Sequence, residues 1–410
     1  MGASALFAAH RQFGEHFEKP LCAVWPRLLN HPDPDRSLRV GFVSGDFCNH
    51  SVARYIEPVF KRLAEFADLE LHAYANNPGE DAVTQRLRGY VQNWHAVASL
   101  SDSELSEKIA CEGIDILIDL SGHTARNRLY TFARKPAPIQ ASWCGYPGTT
   151  GLQGIDYYLV DRHFLPRGQF DRYFSEKLVY LSALTPFLPE PSAPLVNDLP
   201  ALATGSLTFG SFARLGKINA ATLGMWSQLL LALPESKLLV GAVTPVGGGP
   251  TRLIEQLAAL GVARERLILH PRCGLDEYLT LHQQVDICLD TYPFTGLTTS
   301  NHALWMGVPV LTIAGPTPPA RQGAWIMEQL GLQAFVATDT ADFVQKGVYW
   351  SNHLAELATV RATLRSRWLQ SDSRNPDKIA AGLAAALRHM WRRWCAGLPA
   401  ESFEINSPIP

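Results

Sequence analysis

The run CLDTYPFTGLTTSNHALWMGVPVLTI, from Cys288 to Ile313, places a strand, a Gly/Thr loop, a short helix and a second strand in one uninterrupted stretch. The segments Val285 to Leu289 and Val308 to Ile313 are apolar and β-branched, as parallel strands covered on both faces must be. This is the arrangement by which an α/β protein holds an anionic phosphate. Gly296, Thr298, Thr299 and Ser300 lie where unpaired backbone N–H groups at a helix start face a ligand. Thr, Ser and Asn are also the usual helix caps, so a phosphate seat and a capped turn are both open readings of the run alone.

With 410 residues the chain exceeds what one hydrophobic core usually serves, and two domains are expected. Apolar residues make up 47% and charged residues 18%, a globular balance without a low-complexity tract. A formal charge of −2 lacks the basic excess that a general nucleic-acid binder needs, so no polyanion partner is implied. The seven cysteines, Cys22, Cys48, Cys111, Cys144, Cys273, Cys288 and Cys395, include no C-x-x-C pair and read as reduced residues of a cytosolic protein. The opening MGASALFAAHRQFGEHFEKPL has no basic region followed by an apolar run. No segment reaches the ~18 continuous apolar residues of a membrane span, and neither a signal peptide nor a spanning helix is expected.

Residues 4 to 20 have helical spacing (Leu6, Phe7, Phe13, Phe17) and precede the charged, Pro-rich HPDPDRS from His31 to Ser37. They predict a docking helix and linker over 1–37. LRVGFVSGDF (38–47) is a first strand ending in a Gly/Asp turn, and His50 to Leu63 suits the helix after it. Strands over 69–76, 94–99, 114–122, 139–148 and 155–161 continue the alternation and complete one α/β domain over 38–185. The Pro- and Ala-rich stretch 186–203 is read as a connection. A second cycle follows over 204–375, with strands at 207–212, 237–242, 266–270, 285–290, 308–313 and 333–337 and helices between them. A helix over 377–394 closes the chain within a C-terminal segment 376–410. The reading is two consecutive doubly wound, Rossmann-like α/β domains with ligand in the cleft between them.

Four stretches make the reading specific: GFVSGDFCNHSVARY, GHTARNRLYTFARKPAPIQASWCGYPGTTG, FARLGKINAATLGMW, and the opening run followed by PPARQGAW. Together, from about Leu38 to about Leu369, the chain resembles the catalytic region of the protein O-GlcNAc transferase family, in its bacterial SPINDLY-like branch. The resemblance implies a GT-B fold, a UDP-sugar donor bound mainly by the C-terminal domain, and inverting transfer to a Ser or Thr hydroxyl of a protein. Its partners would then be a nucleotide sugar and a protein or peptide acceptor; with the cysteine pattern and the lack of an apolar span, a cytoplasmic enzyme with no nucleic acid, membrane, metal or other cofactor is expected. Family members usually carry tetratricopeptide repeats before this region, and the chain has none.

Negative charge grows on the leaving diphosphate as the sugar bond breaks, and a cation or dipole must meet it. The literal Asp-x-Asp match for a metal-using enzyme, Asp33 and Asp35, lies in the linker before the first strand. Arg214 and Lys217 instead follow a predicted strand at its carboxyl end. By resemblance Lys217 contacts the diphosphate, Arg214 adds a second cation where animal members have glutamine, and Thr298 and Thr299 hold the phosphates beside Gly296. Leu297 stands where the family commonly has His, and His302 where it has the ribose-binding Asp. A carboxylate accepts two hydroxyls and a neutral imidazole only one, so the ribose contacts differ. Tyr278 replaces a family histidine and can still stack on a base, with Cys273 contributing through its backbone. Arg321 opens a predicted helix and either meets the diphosphate or pairs with an acid.

A hydroxyl nucleophile needs a base, and His50, just after the first strand's turn, matches the family's proposed base. A helix-capping role for it is the plain alternative, and Asp46 either caps the helix or orients His50. His95 and His123, at predicted strand ends, are read as structural or substrate-positioning groups. Gly145, Tyr146, Pro147 and Gly148 form a Gly-rich turn lining the cleft. Trp350, Trp368, Trp391 and Trp394 are read as packing. Two other functions stay open: a UDP-sugar 2-epimerase-like enzyme and a non-catalytic sugar-nucleotide-binding scaffold. Plant members of SPINDLY type use a fucose donor, which leaves the donor sugar and its nucleotide open.

Overall fold

The computed structural model describes residues 2–243 and 249–405. In chain order its strands are β1 (Leu38–Ser44), β2 (Leu69–Ala75), β3 (Asn93–Ala96), β4 (Ile116–Asp119), β5 (Ile139–Ser142), β6 (Tyr157–Asp161), β7 (Lys177–Leu181), β8 (Thr208–Ser211), β9 (Lys237–Val243), β10 (Leu267–Pro271), β11 (Ile287–Leu289), β12 (Val310–Ile313), β13 (Val336–Ala337) and β14 (Phe403–Glu404). They form two parallel sheets, ordered β14-β7-β6-β5-β4-β1-β2-β3 and β10-β9-β8-β11-β12-β13. The chain divides into two compact units, Met1–Leu188 with Asp372–Pro410, and Pro189–Ser371.

In the first unit, β1 is apolar nearly throughout, with Val40 and Phe42 fully buried, because helices cover both faces of a parallel sheet. The helix Ser51–Leu63 turns Ile56, Val59, Phe60 and Leu63 inward, and Phe60 packs on Phe42 with ring centroids 4.7 Å apart. Burying each such side chain contributes roughly 1.5–3 kcal/mol. The helix Ala3–Phe17 joins this unit: Phe13 meets the His123 ring edge-on, and Glu18 accepts from Gln153 N and Gly154 N, both at 2.6 Å.

The closing helix Pro376–Cys395 is not a separate tail, because it packs within the first unit and leads to β14, which pairs with β7. It also grips the linker. Trp391 Nε1 donates to Asp33 O at 2.8 Å, Arg388 donates to Pro34 O and Arg36 O, and Arg392 pairs with Asp35 at 2.7 Å. The two Asp-x-Asp residues therefore serve this clamp.

In the second unit, β8 and β9 are flanked by the helix Ala220–Ala232, which buries Leu223, Trp226, Leu229 and Leu230. Two elements here depart from expectation. Residues 333–337 are mostly a 3-10 turn, with only Val336–Ala337 in the sheet. A helix over Leu354–Gln370, absent from the expected elements, buries Leu357, Arg361, Leu364 and Trp368. Trp368 meets Trp305 edge-on, Trp350 stacks on Phe335 at 4.4 Å, and Trp391 stacks on Trp394, so the late tryptophans are packing groups. Among the described residues no helix is long and apolar enough to cross a membrane.

Candidate functional site

The second sheet has the strand order 3-2-1-4-5-6, and its order reverses between β8 and β11. Open α/β sheets bind ligand outside the carboxyl ends of the strands at such a switch point. The chain leaves β8 through Phe212, Arg214 and Lys217, and leaves β11 through Asp290 to Leu297, so both segments belong to that place.

Asp290, missed in the sequence reading, organises the loop. Its Oδ1 accepts from Thr291 N (2.8 Å) and Gly296 N (2.7 Å), and its Oδ2 from Thr312 Oγ1 (2.8 Å). Burial pushes its carboxyl up to about 6, against the pull of these donors and of the Lys217 charge. The Gly296 N–H is therefore not free for a ligand, contrary to expectation. Glycine is still required there, since a Cβ would stand 2.6 Å from Ser300 Oγ and 3.4 Å from Asp290 Oδ1. The signal for Asp290 was its place directly after an apolar strand.

Lys217 is half-buried, donates from Nζ to Thr295 O at 3.1 Å, and lies over the Phe294 ring at 4.4 Å. Burial lowers its pKa, the Asp290 carboxylate raises it, and Arg214 lowers it. Arg214 is exposed and precedes the 3-10 turn Leu215–Lys217. The helix Thr298–Trp305 starts without a capping side chain, since Leu297 occupies the cap position. Thr299 and Ser300 stand in the first turn of that helix, whose N–H groups have no acceptor within the helix itself. Both residues line a cavity of about 20 Å³ with Ser211, Phe212 and Asp290, room for roughly one water. A lysine, a helix N-terminus and two threonine hydroxyls in this setting suit an anion.

His302 is buried in the same helix, and its Nδ1 lies 3.2 Å from the Tyr278 hydroxyl. The two residues expected to meet the nucleoside are thus in contact with each other. Behind them His282 stacks on Phe212 at 4.0 Å, and burial drives its pKa down to about 3. A depressed folded pKa means that the unfolded chain binds the proton more readily, so stability is full above 6.5 and is lost as pH falls toward 3. We expect the melting temperature to drop across this window, by up to about 1.4 kcal/mol of stability per pH unit from His282. In His282→Gln this part of the slope should vanish in calorimetric scans between pH 4 and 6.5; an unchanged slope would remove His282 as its source.

Cys273 is half-buried near His270 and Glu277, after β10. Arg321 caps the helix Gln322–Gln329, with its guanidinium 3.9 Å from Glu328, which favours the acid-pairing reading.

The first sheet reverses its order between β1 and β4, and a second constellation gathers there. His50 caps the helix Ser51–Leu63, its Nδ1 accepting from Val52 N at 3.3 Å, and the same Nδ1 lies 3.4 Å from Asp46 Oδ2. The helix-cap contact and the Asp46 contact thus fall on one atom, and they compete. A proton on Nδ1 serves Asp46 and leaves Nε2 as an acceptor; a proton on Nε2 serves the cap. Asp46, buried, also takes Arg126 at 3.2 Å. Arg126 and Cys144 hold φ of 58° and 60°, costly values for residues with side chains.

The turn after β5 packs against the end of β4. Tyr146 N donates to Ser121 O at 3.1 Å, and a Cβ on Gly145 (φ +57°) would stand 2.6 Å from Leu120 O and Ser121 O. Pro147 and Gly148 are buried beyond it, and Tyr158 OH donates to Tyr146 O. His123 lies 2.8 Å from Thr150 O through Nε2 and packs on His10 and Tyr146, a structural role. His95 stands apart from this group. It lies within β3 rather than at a strand end, on the far side of β1 from β4, with His72 and Glu112.

Two parallel, doubly wound units, each with polar groups at its switch point, define a protein of the GT-B class. The chain belongs to glycosyl transferase family 41, whose family model matches residues 25–190 and 197–381. It is 33% identical over 96% of its length to a probable UDP-N-acetylglucosamine–peptide N-acetylglucosaminyltransferase SPINDLY of Petunia hybrida, and 27% identical over 90% to the corresponding SEC protein of Arabidopsis thaliana. The chain spans less than half the length of these relatives, 42% and 39%. Among solved structures, an O-GlcNAc transferase mutant of Thermobaculum terrenum is 36% identical with a TM-score of 0.88, the match covering 96% of this chain and 75% of that one. The Anabaena HepE structure with UDP and glucose, at 11% identity and a TM-score of 0.53, covering 86% of this chain and 100% of that one, shares the fold alone.

Proposed function

We propose that this chain transfers a sugar, N-acetylglucosamine by the names of its relatives, from UDP to a Ser or Thr hydroxyl of a protein, with inversion and without a catalytic metal. The observation that carries the reading is the Lys217 ammonium, held 3.1 Å from Thr295 O beside the helix that starts at Thr298. In this reading Lys217, Arg214, Thr298 and Thr299 meet the charge that develops on the departing diphosphate, the task a divalent ion performs in other enzymes. Because the cations are side chains, the step needs no ion to bridge the phosphates. Tyr278 offers its ring to the base, and Cys273 its backbone. His50 Nε2 takes the hydroxyl proton while Asp46 holds Nδ1–H, and the turn from Gly145 to Gly148 meets the acceptor. Direct displacement from the face opposite the diphosphate inverts the sugar carbon.

The test is incubation of the full chain with radiolabelled UDP-N-acetylglucosamine and a protein lysate, before and after passage over a chelating resin. Protein-bound label, with less than a twofold change on adding Mg²⁺ or Mn²⁺, is expected. Label in an altered free sugar would replace the reading with epimerisation, and no turnover of a donor that still binds would replace it with a scaffold. Calorimetry of UDP against GDP should favour UDP by at least tenfold; tighter GDP binding would overturn the donor assignment.

A further inference from the structure

His72 and Tyr74 alternate along β2 and so share one face of the first sheet, and His95 sits opposite Tyr74 in the β2–β3 register. Glu112 caps the helix Asp102–Cys111, whose Leu105 and Ile109 pack in one core cluster with Tyr74. These elements bring three donor atoms together. His72 Nδ1 and His95 Nε2 are 3.4 Å apart, and His95 Nε2 and Glu112 Oε2 are 3.6 Å apart. A tetrahedral zinc ion with bonds of about 2.1 Å to nitrogen or oxygen separates its ligand atoms by roughly 3.4 Å. All three donor atoms lie within 4.8 Å of one another.

We propose that His72, His95 and Glu112 form a binding site for a divalent transition-metal ion, zinc by this ligand set, with a fourth position for water.

The surroundings suit that role. His72 is buried, and its outer nitrogen, Nε2, lies 3.2 Å from Glu70 Oε1, the carboxylate that orients a ligating imidazole. Glu70 is fixed by Arg39 at 3.2 Å and Asn93 at 3.0 Å. Burial lowers the pKa of both imidazoles, the direction that favours the neutral, ligating form. Burial works against the Glu112 carboxylate, but Lys108, Tyr74 and His95 bring its pKa below the ordinary range. Lys108 takes Oε1 at 2.7 Å and the Tyr74 hydroxyl donates to Oε2, so the carboxylate is held in place. Two imidazoles and one carboxylate select zinc or its neighbours over calcium and magnesium, which take oxygen ligands. β3 is the last strand of the sheet, and an ion here would staple that short edge to β2 and the helix. The ion has no part in sugar transfer as proposed above.

The same atoms also fit a hydrogen bond between the two rings, and metal binding separates the alternatives. The full chain, stripped by chelator and dialysed, is titrated with Zn²⁺ against a chromophoric chelator, with bound metal counted by mass spectrometry. One tight equivalent is expected, weakened at least tenfold in His95→Ala, with near-UV circular dichroism as a check on folding. Glu70→Gln removes no ligand, covers the case in which His95→Ala fails to fold, and should weaken binding by about ten- to a hundredfold. Co²⁺ in place of zinc should give visible ligand-field bands that His95→Ala abolishes. Lack of a tight equivalent in the unsubstituted chain would overturn the proposal. So would unaltered affinity in Glu70→Gln, or loss of the equivalent in His270→Ala, which would move the ion to the His270, Cys273 and Glu277 group.

Discussion

Lys217→Ala is expected to lower sugar transfer by about 10²–10³-fold, the usual loss when one preorganised group that meets developing negative charge is removed. The effect should fall on both donor affinity and turnover, because the ammonium stands beside the helix start before and during bond cleavage. Among the described residues Lys217 has no acidic ion-pair partner within 4 Å; its hydrogen bond is to Thr295 O, a neutral carbonyl, and its aromatic neighbour is Phe294. A half-buried cation held by neutral groups is poised to gain from an arriving phosphate. The substitution also withdraws the charge that pulls the Asp290 carboxyl down, so that carboxyl should take up a proton more readily. Donor affinity by calorimetry and steady-state rates check the result. A variant with unaltered affinity and rate would remove Lys217 from the donor site.

The second large effect is expected at His50. His50→Ala should reduce kcat by about 10²–10⁴-fold with donor affinity within threefold, the pattern of a lost general base. Asp46→Asn is the sharper experiment. An asparagine amide at this place can donate to Nδ1, which favours the tautomer with its proton on Nε2, where no proton can then be accepted. The 3.4 Å contact between Asp46 and His50 survives in shape, yet turnover should fall on the order of 10²-fold. If Asp46→Asn retains full rate while His50→Ala loses it, the carboxylate does not orient the base. If both retain it, His50 is a helix cap and nothing more.

The alternation of apolar β-branched runs with helical spacing was enough to predict two doubly wound sheets, because burial on both faces writes itself into composition. Pairing between distant strands was not legible. Nothing in the segments around Ser211 and Ile287 announces that β8 and β11 are neighbours, and only the strand order puts Lys217 beside Thr295. The helix Leu354–Gln370 escaped because its inward stripe includes a charged residue, Arg361, which interrupts the apolar period. That guanidinium is buried by donating to Asn197 O, Asn197 Oδ1 and Val285 O. β14 spans two residues, too few to carry a period. Gly296 was read as offering its N–H to a ligand, whereas that N–H is held by Asp290 and a side chain there would strike Ser300.

The return of the chain to its first unit bears on how the protein is made. The second unit is one contiguous segment, Pro189–Ser371, whereas the first is completed only when the helix Pro376–Cys395 and β14 take their places. Domains tend to fold as units while the chain emerges from the ribosome, the N-terminal ones first. Here that order is inverted. The later segment can close its own core while β7 still waits for its outer neighbour, so the nascent protein carries a partly open sheet edge through most of its synthesis.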